Sequence, residues 1–285
     1  MKTLEQCALG IVGLGLMGGA FAKALGRAGL GRAGVFACDT DRGALKAAEE
    51  TGDIDQGFLS PEAMLPRCGL VILCVNPSTV LDFMGKWMGA FASGTLITDI
   101  AGVKGAVAAA MERCLRPDLD FIPGHPMAGS EKGGYAQAGS CDFRGKNYIL
   151  TPLRRTKPEN LRALKGLITR LGFGRITETT AEDHDRKVAF TSQLPHVIAA
   201  ALIDCEADPS ILHFGGGSFE DLTRIALLNA PMWAELFLEN RHELLGRIRQ
   251  FRQSLDKIEN LIQGEERDGL ARTLEMVRDR RSCLT

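Results

Sequence analysis

Gly13-Leu14-Gly15-Leu16-Met17-Gly18 stands between an apolar run, Ala8–Val12, and a helical pattern that continues through Phe21 and Leu25. This arrangement limits the fold sharply, because each glycine answers a separate steric demand. The first permits a tight strand-to-helix turn, the second lets a pyrophosphate approach the backbone, and the third lets the helix pack closely on the strand. Phosphates would then lie against unpaired N–H groups at the helix N-terminus. A second apolar run, Val35–Cys38, leads into Asp39, and 39 − 18 places that acid 21 residues past the last glycine. The dinucleotide fingerprint expects an acid about 20 residues on, accepting hydrogen bonds from ribose hydroxyls. Asp39 is read as that acid, with a helix N-cap as its ordinary alternative. Asp41 adds negative charge that would repel a 2′-phosphate, partly offset by Arg42, so NAD is expected in preference to NADP.

Further apolar runs follow at Leu70–Val75, Leu96–Thr98 and Phe121–Ile122, separated by segments such as Arg42–Glu50 that are rich in Ala, Leu, Lys and Glu. Continuous apolar strands alternating with helices predict a parallel sheet buried on both faces. Tyr148–Leu150 and Arg175–Glu178 read as late edge strands, with a helix over Pro158–Leu171 between them. Asn76-Pro77-Ser78 and the stretch from Asp99 to Lys104 fall at strand carboxyl ends, where doubly wound folds bind ligands. Asn76 and Ser78 therefore join Gly13, Gly15, Leu16, Met17, Gly18 and Asp39 as cofactor-binding candidates, although Ser78 also suits a helix N-cap.

From about Ala181 the strand signals stop. Glu182–Asp204 reads as one helix that Pro195 should bend. More helices follow the Gly215-Gly216-Gly217 break. Leu244, Ile248, Phe251, Leu255, Ile258 and Ile262 recur at spacings of 4, 3, 4, 3 and 4, an apolar seam that suits a partner helix. The expected architecture is a Rossmann-type doubly wound α/β domain, residues 1–180, followed by an all-helical substrate and dimerisation domain, residues 181–285.

Composition narrows the function classes. A chain of 285 residues with 45% hydrophobic content and formal net charge -1 carries enough apolar surface for two packed domains. It lacks the basic excess that a nucleic-acid partner requires. Apolar runs such as Leu70–Val75 are far short of the roughly 20 residues of a membrane span. Glu5 and Gln6 interrupt the start before any signal-peptide core can form, so a soluble cytoplasmic protein is expected. The eight cysteines show no Cys-x-x-Cys pair, which predicts reduced structural thiols and no metal site.

Gly124-His125-Pro126-Met127-Ala128-Gly129-Ser130-Glu131 follows the Phe121–Ile122 run. A histidine in such a loop can take a hydroxyl proton as hydride leaves the same carbon, or it can merely brace the loop.

On these motifs the chain resembles the prephenate and arogenate dehydrogenase family of tyrosine biosynthesis. The resemblance is carried by Gly13–Gly19, His125–Glu131 with Gly133 and Gly134, Glu182-Asp183-His184-Asp185, Leu194-Pro195-His196, Asp221–Ala226 and Pro231-Met232-Trp233. It implies NAD-dependent oxidative decarboxylation of prephenate to 4-hydroxyphenylpyruvate. Hydride leaves the ring carbon bearing the hydroxyl, the opposite carbon loses carbon dioxide, and the ring becomes aromatic. His125 matches the family's catalytic histidine. Arg224 matches an arginine that grips a substrate carboxylate, for which a guanidinium fork is suited. Glu131 and Asp221 match acids that form an ionic cluster with it. His196 matches a histidine near the substrate, and Trp233 an aromatic residue that reaches in from the other subunit of a homodimer. Gln193 and Ser130 complete the substrate-binding candidates. His184 is read as orienting a helix start.

Two departures stand out. Relatives commonly carry Gly-Ser-Val-Lys where this chain has Ala101-Gly102-Val103-Lys104, so a serine hydroxyl is missing. Many also carry histidine where Gln193 stands and arginine where Glu220 stands. These changes keep two alternatives open beside prephenate: arogenate, or another amino-substituted analogue. An NAD-binding sensor without turnover is the non-enzymatic alternative. Gly102 favours it, and retention of His125 and Arg224 opposes it.

Overall fold

Alternate residues of the first strand enter two different cores. Leu9 and Ile11 pack to one side of the sheet and Ala8 and Val12 to the other, because successive side chains of a strand project to opposite faces. The computed structural model describes residues 7–129 and 133–284. In chain order its first part carries β1 (Ala8–Val12), α1 (Leu16–Arg27), β2 (Val35–Cys38), α2 (Arg42–Glu50) and β3 (Gln56–Phe58). It continues with β4 (Cys68–Leu73), α3 (Pro77–Trp87), β5 (Leu96–Asp99), α4 (Gly105–Cys114) and β6 (Asp120–Phe121). These six strands form one sheet in the order β3-β2-β1-β4-β5-β6, every pair parallel. β4 repeats the two-sided pattern of β1, with Leu70 and Ile72 facing one core and Val71 and Leu73 the other. The order reverses between β1 and β4, so their carboxyl ends open the crevice in which such sheets bind ligands. β3 carries no apolar run: it is a short, partly exposed edge strand, Gln-Gly-Phe, and escapes a reading based on hydrophobicity.

A second sheet corrects the expectation of late edge strands. β7 (Gly124–Pro126), β8 (Asn147–Leu150) and β9 (Arg175–Glu178) make a separate three-stranded sheet, with α5 (Pro158–Arg170) between the last two strands. β7 runs antiparallel to β8, pairing His125 with Ile149, and β8 runs parallel to β9. Pro123 follows β6 closely and has no N–H to extend that ladder, which helps the chain leave the first sheet there. His125 is thus held on a strand rather than in the expected loop.

The remaining elements are helical. Thr180 caps α6 (Ala181–Val188), its hydroxyl accepting the Asp183 N–H at 3.2 Å. The helical path then continues through a π-helical turn, Ala189–Gln193, into α7 (Leu194–Asp204). The single helix expected here is therefore continuous but locally widened. Pro195 lacks an N–H and its ring crowds the preceding turn, and the wide turn accommodates both. α8 (Gly217–Thr223), α9 (Ala230–Glu239), α10 (Arg241–Gln263) and α11 (Arg267–Ser282) complete the chain. The seam on α10 is buried at Leu244, but Leu255 and Ile262 remain 52% and 60% exposed within one chain. Among the described residues no helix is long and apolar enough to cross a membrane. None of the eight cysteines is joined in a disulfide. Burial, with the Asp39 charge beside it, pushes the Cys38 thiol up to about 11, which keeps it protonated and inert.

Candidate active site

The three glycines of the β1–α1 turn meet the three steric demands separately. Gly13 has φ of 88°, in the left-handed region, and a Cβ there would lie 2.5 Å from the Cys74 carbonyl oxygen. A Cβ on Gly18 would lie 1.9 Å from the Gly13 carbonyl oxygen, so α1 can start this close to the strand only with glycine. A Cβ on Gly15 would meet nothing within 4 Å. The backbone there faces open space at the N-terminus of α1, and no side chain caps that helix. A pyrophosphate fits such a turn: the N–H groups are turned outward and the helix dipole favours negative charge.

Asp39 stands at the end of β2 against this turn. One carboxylate oxygen accepts the Leu14 N–H and the other the Asp41 N–H at 2.8 Å. The N-cap role weighed for Asp39 belongs to Asp41, whose carboxylate accepts the Gly43 and Ala44 N–H groups at the start of α2. Asp39 is left beside the glycine turn, where a ribose-binding acid is needed.

From Gly15 a cleft of about 1080 Å³ runs past Asn76, Gly102 and His125 to His196 and Arg224 of the helical part. On its wall the His125 Nδ1 lies 2.9 Å from His184 Nε2. His184 Nδ1 in turn lies 2.7 Å from Asp185 Oδ1. Asp185 also accepts the N–H groups of Lys104 and Gly105, each at 2.8 Å. Lys104 is completely buried, ion-paired with Asp99, and donates to the Gly124 carbonyl at 2.7 Å. Burial, reinforced by the neighbouring His184 ring and the Lys104 ammonium, holds His125 well below the usual histidine range. The ring is neutral at physiological pH and able to accept a proton.

Across the cleft, His196 donates from Nδ1 to the Ser192 carbonyl at 2.8 Å and stacks on Trp233, with ring centroids 3.7 Å apart. Burial lowers its pKa against the pull of the Ser192 carbonyl, and Arg224 lowers it further. Ser192 belongs to the π-helical turn, His196 follows it in α7 and Trp233 comes from α9; such turns often occur at functional sites. Arg224 opens a 3₁₀ turn, Arg224–Ala226, directly after α8, and borders the same cleft. A half-buried neutral histidine thus faces the cleft that holds the phosphate-binding turn at one end and a guanidinium at the other.

Two family models match the chain. "Prephenate dehydrogenase, nucleotide-binding domain" covers residues 21–177, and "Prephenate dehydrogenase, dimerization domain" covers residues 180–276. The chain belongs to the prephenate dehydrogenase family. It is 30% identical over 280 residues to a prephenate dehydrogenase of Bacillus subtilis, covering 96% of this chain and 75% of that protein. It is also 30% identical over 276 residues to a cyclohexadienyl dehydrogenase of Zymomonas mobilis, covering 92% and 90%. Among solved structures, a prephenate dehydrogenase from A. aeolicus, in complex with hydroxyphenyl propionate and NAD+, superposes with a TM-score of 0.89. The two are 30% identical, with 100% of each chain covered. Synechocystis arogenate dehydrogenase gives a TM-score of 0.80 at 28% identity, covering 98% of this chain and 100% of that one.

Several expected site residues are placed otherwise. Gln193 borders the cleft but is buried, with its amide committed elsewhere: it donates to the Leu236 carbonyl at 2.9 Å and accepts from Asn240 Nδ2 at 2.8 Å. It ties the π-helical turn to α9 and α10. Ser78 is neither a cap nor part of the cleft wall. It lies inside the first turn of α3 behind Asn76 and Pro77, and its N–H donates to Glu235 of α9 at 2.8 Å. Asn76 does border the cleft. Trp233, expected to arrive from a second subunit, lines the cleft of its own chain because α9 lays it on His196. Asp221 is exposed on α8 and stands outside the cleft wall, as does Glu220. Ser130 and Glu131 lie outside the described residues. At Gly102 a Cβ would sit 3.2 Å from Leu236 Cδ2, so a leucine crowds the place of the missing serine side chain. The residues that sequence reasoning missed are His184 as a partner of His125, and Lys104, Asp99 and Asn240 as its buried support. The adjacent His184-Asp185 pair was the available signal. Its partner, 59 residues away, was not readable.

Proposed function

We propose that the protein oxidises prephenate with NAD, releasing carbon dioxide and 4-hydroxyphenylpyruvate, and that arogenate is the substrate variant to be tested beside it. The observation that carries this reading is the half-buried, neutral His125 in one cleft with the Gly15 turn and Arg224. Family membership and the similar A. aeolicus enzyme, whose structure holds NAD+ and hydroxyphenyl propionate, support it. When bound, NAD supplies the hydride acceptor at the ring carbon. The Gly13–Gly18 turn holds the pyrophosphate, Leu16, Met17 and Asn76 flank it, and Asp39 accepts from the adenosine ribose. Arg224 binds a substrate carboxylate, with His196 and Trp233 forming the wall beside it. His125 takes the ring hydroxyl proton as the C–H electron pair departs. The C–CO₂⁻ bond then breaks, its electrons complete the aromatic ring, and the proton returns to the phenol oxygen. The chemistry is driven by aromatisation.

The active form we propose is a cytoplasmic homodimer joined through the helical domain, residues 181–285, with residues 1–180 forming the nucleotide domain. The open seam on α10 supports the dimer, and cysteines without disulfides suit a reducing compartment. The decisive assay follows reduced-cofactor formation with prephenate and with arogenate, each offered NAD and NADP. Turnover with NAD is expected, and His125→Asn should lower kcat by about 10²–10⁴-fold while NAD still binds. An unchanged rate in that variant would remove His125 from the chemistry.

A further inference from the structure

We infer that His184 and Asp185 are positioning residues that fix which ring nitrogen of His125 carries the proton. The inference rests on the proposed role of His125 as base. Asp185 accepts the backbone N–H groups of Lys104 and Gly105, so its carboxylate acts toward His184 as a hydrogen-bond acceptor. In its neutral form His184 then donates from Nδ1, which leaves its Nε2 with a lone pair aimed at His125. His125 can satisfy that lone pair only by carrying its own proton on Nδ1. Its Nε2 is therefore unprotonated, the form a base needs toward a substrate hydroxyl. Without this chain, a neutral imidazole could carry the proton on either nitrogen.

The support is rigid. His184 is 1% exposed, and the Asp185 carbonyl accepts from Asn240 Nδ2 at 2.9 Å, the same amide that holds Gln193. α6, the π-helical turn and the start of α10 are thereby locked together behind the catalytic ring. The charged and titratable groups around His125 are Lys104 and Asp99 from the β5–α4 segment, Tyr148 of β8, and His184 with Asp185 of α6. His196 and Arg224 lie across the cleft.

Three measurements on the full-length enzyme test this. Nitrogen-15 imidazole NMR of the unsubstituted protein at pH 7.5 should show His125 protonated at Nδ1 and bare at Nε2; the opposite tautomer overturns the inference whatever the variants do. His184→Phe should lower kcat about 10²-fold with substrate KM within about twofold, because ground-state binding is untouched. His184→Gln offers both an acceptor and a donor and should recover at least about tenfold over the phenylalanine variant. In the pair His125→Asn/His184→Phe, the loss should not exceed that of His125→Asn alone, as expected for residues acting as a unit. If His125→Asn abolishes turnover while His184→Phe keeps full kcat, the positioning role fails and the base survives. If His125→Asn itself retains its rate, the base reading fails first.

Discussion

Replacing Lys104 with methionine should damage both stability and the pH profile of the enzyme. Lys104 is completely buried, ion-paired with Asp99, and donates to the Gly124 carbonyl next to His125. Asp99 has two further donors, the Ala101 N–H at 3.0 Å and the Gly124 N–H at 3.2 Å, neither charged. Methionine keeps the length of the side chain and removes its charge, stranding the carboxylate in the core. Breaking a buried ion pair from one side costs about 3–5 kcal/mol. At roughly 2–4 °C per kcal/mol for a domain of this size, the melting midpoint of the ligand-free protein should fall by about 6–20 °C. The double variant Lys104→Met/Asp99→Asn should be more stable than Lys104→Met, because no charge is left stranded. The Lys104 charge also helps to hold His125 low, so its loss raises the His125 pKa and shifts the acid limb of turnover to higher pH. Scanning calorimetry without NAD reads the first effect cleanly, since bound ligand would mask it. A midpoint drop of less than about 2 °C, or a double variant weaker than the single one, would refute the argument.

Other predictions concern the cleft and its charge. Gly102→Ser should cost about 1 kcal/mol, because its Cβ must push Leu236 aside by a few tenths of an ångström. Combining it with Leu236→Ala should give a loss smaller than the sum of the two, measured by urea midpoints. Arg224→Ala should raise KM for the acid substrate at least about tenfold and leave KM for NAD within about twofold; a normal substrate KM removes Arg224 from the site. His125 and His196 are both held below their usual value of 6.5, so below that pH the unfolded chain binds more protons than the folded one. Stability is therefore fully present above about pH 7 and should fall as pH drops from 6.5 toward 5. His125→Asn should flatten that slope, and a midpoint that is already flat in the unsubstituted protein would contradict the burial argument.

The legible part of the site was local. Gly13, Gly15 and Gly18 could be assigned separate duties in advance because a strand-to-helix turn over phosphate imposes them, and the geometry at each glycine agrees. Asp39 was readable for a related reason, since helix length and strand spacing fix where the second strand ends. The partners of Gln193 were not legible, because a polar residue inside a family motif gives no sign of which neighbouring helix its amide meets. Asn240 and the Leu236 carbonyl, both more than 40 residues away, decide that.

The sequence by itself determined the α/β order of the first part, the phosphate-binding turn, the helical second part, and the presence of His125 and Arg224 in motifs of one family. Each of these depends on period or spacing within a few turns of chain, where sterics and hydrophobic alternation act directly. Only the tertiary structure decided that His125 lies on a strand of a second sheet, that His184 and Asp185 stand behind it, and that Trp233 stacks on His196 within one chain. Those partners are chosen by burial. A polar group taken out of water must find whatever donor or acceptor the packed fold brings beside it, and chain spacing does not encode that neighbour.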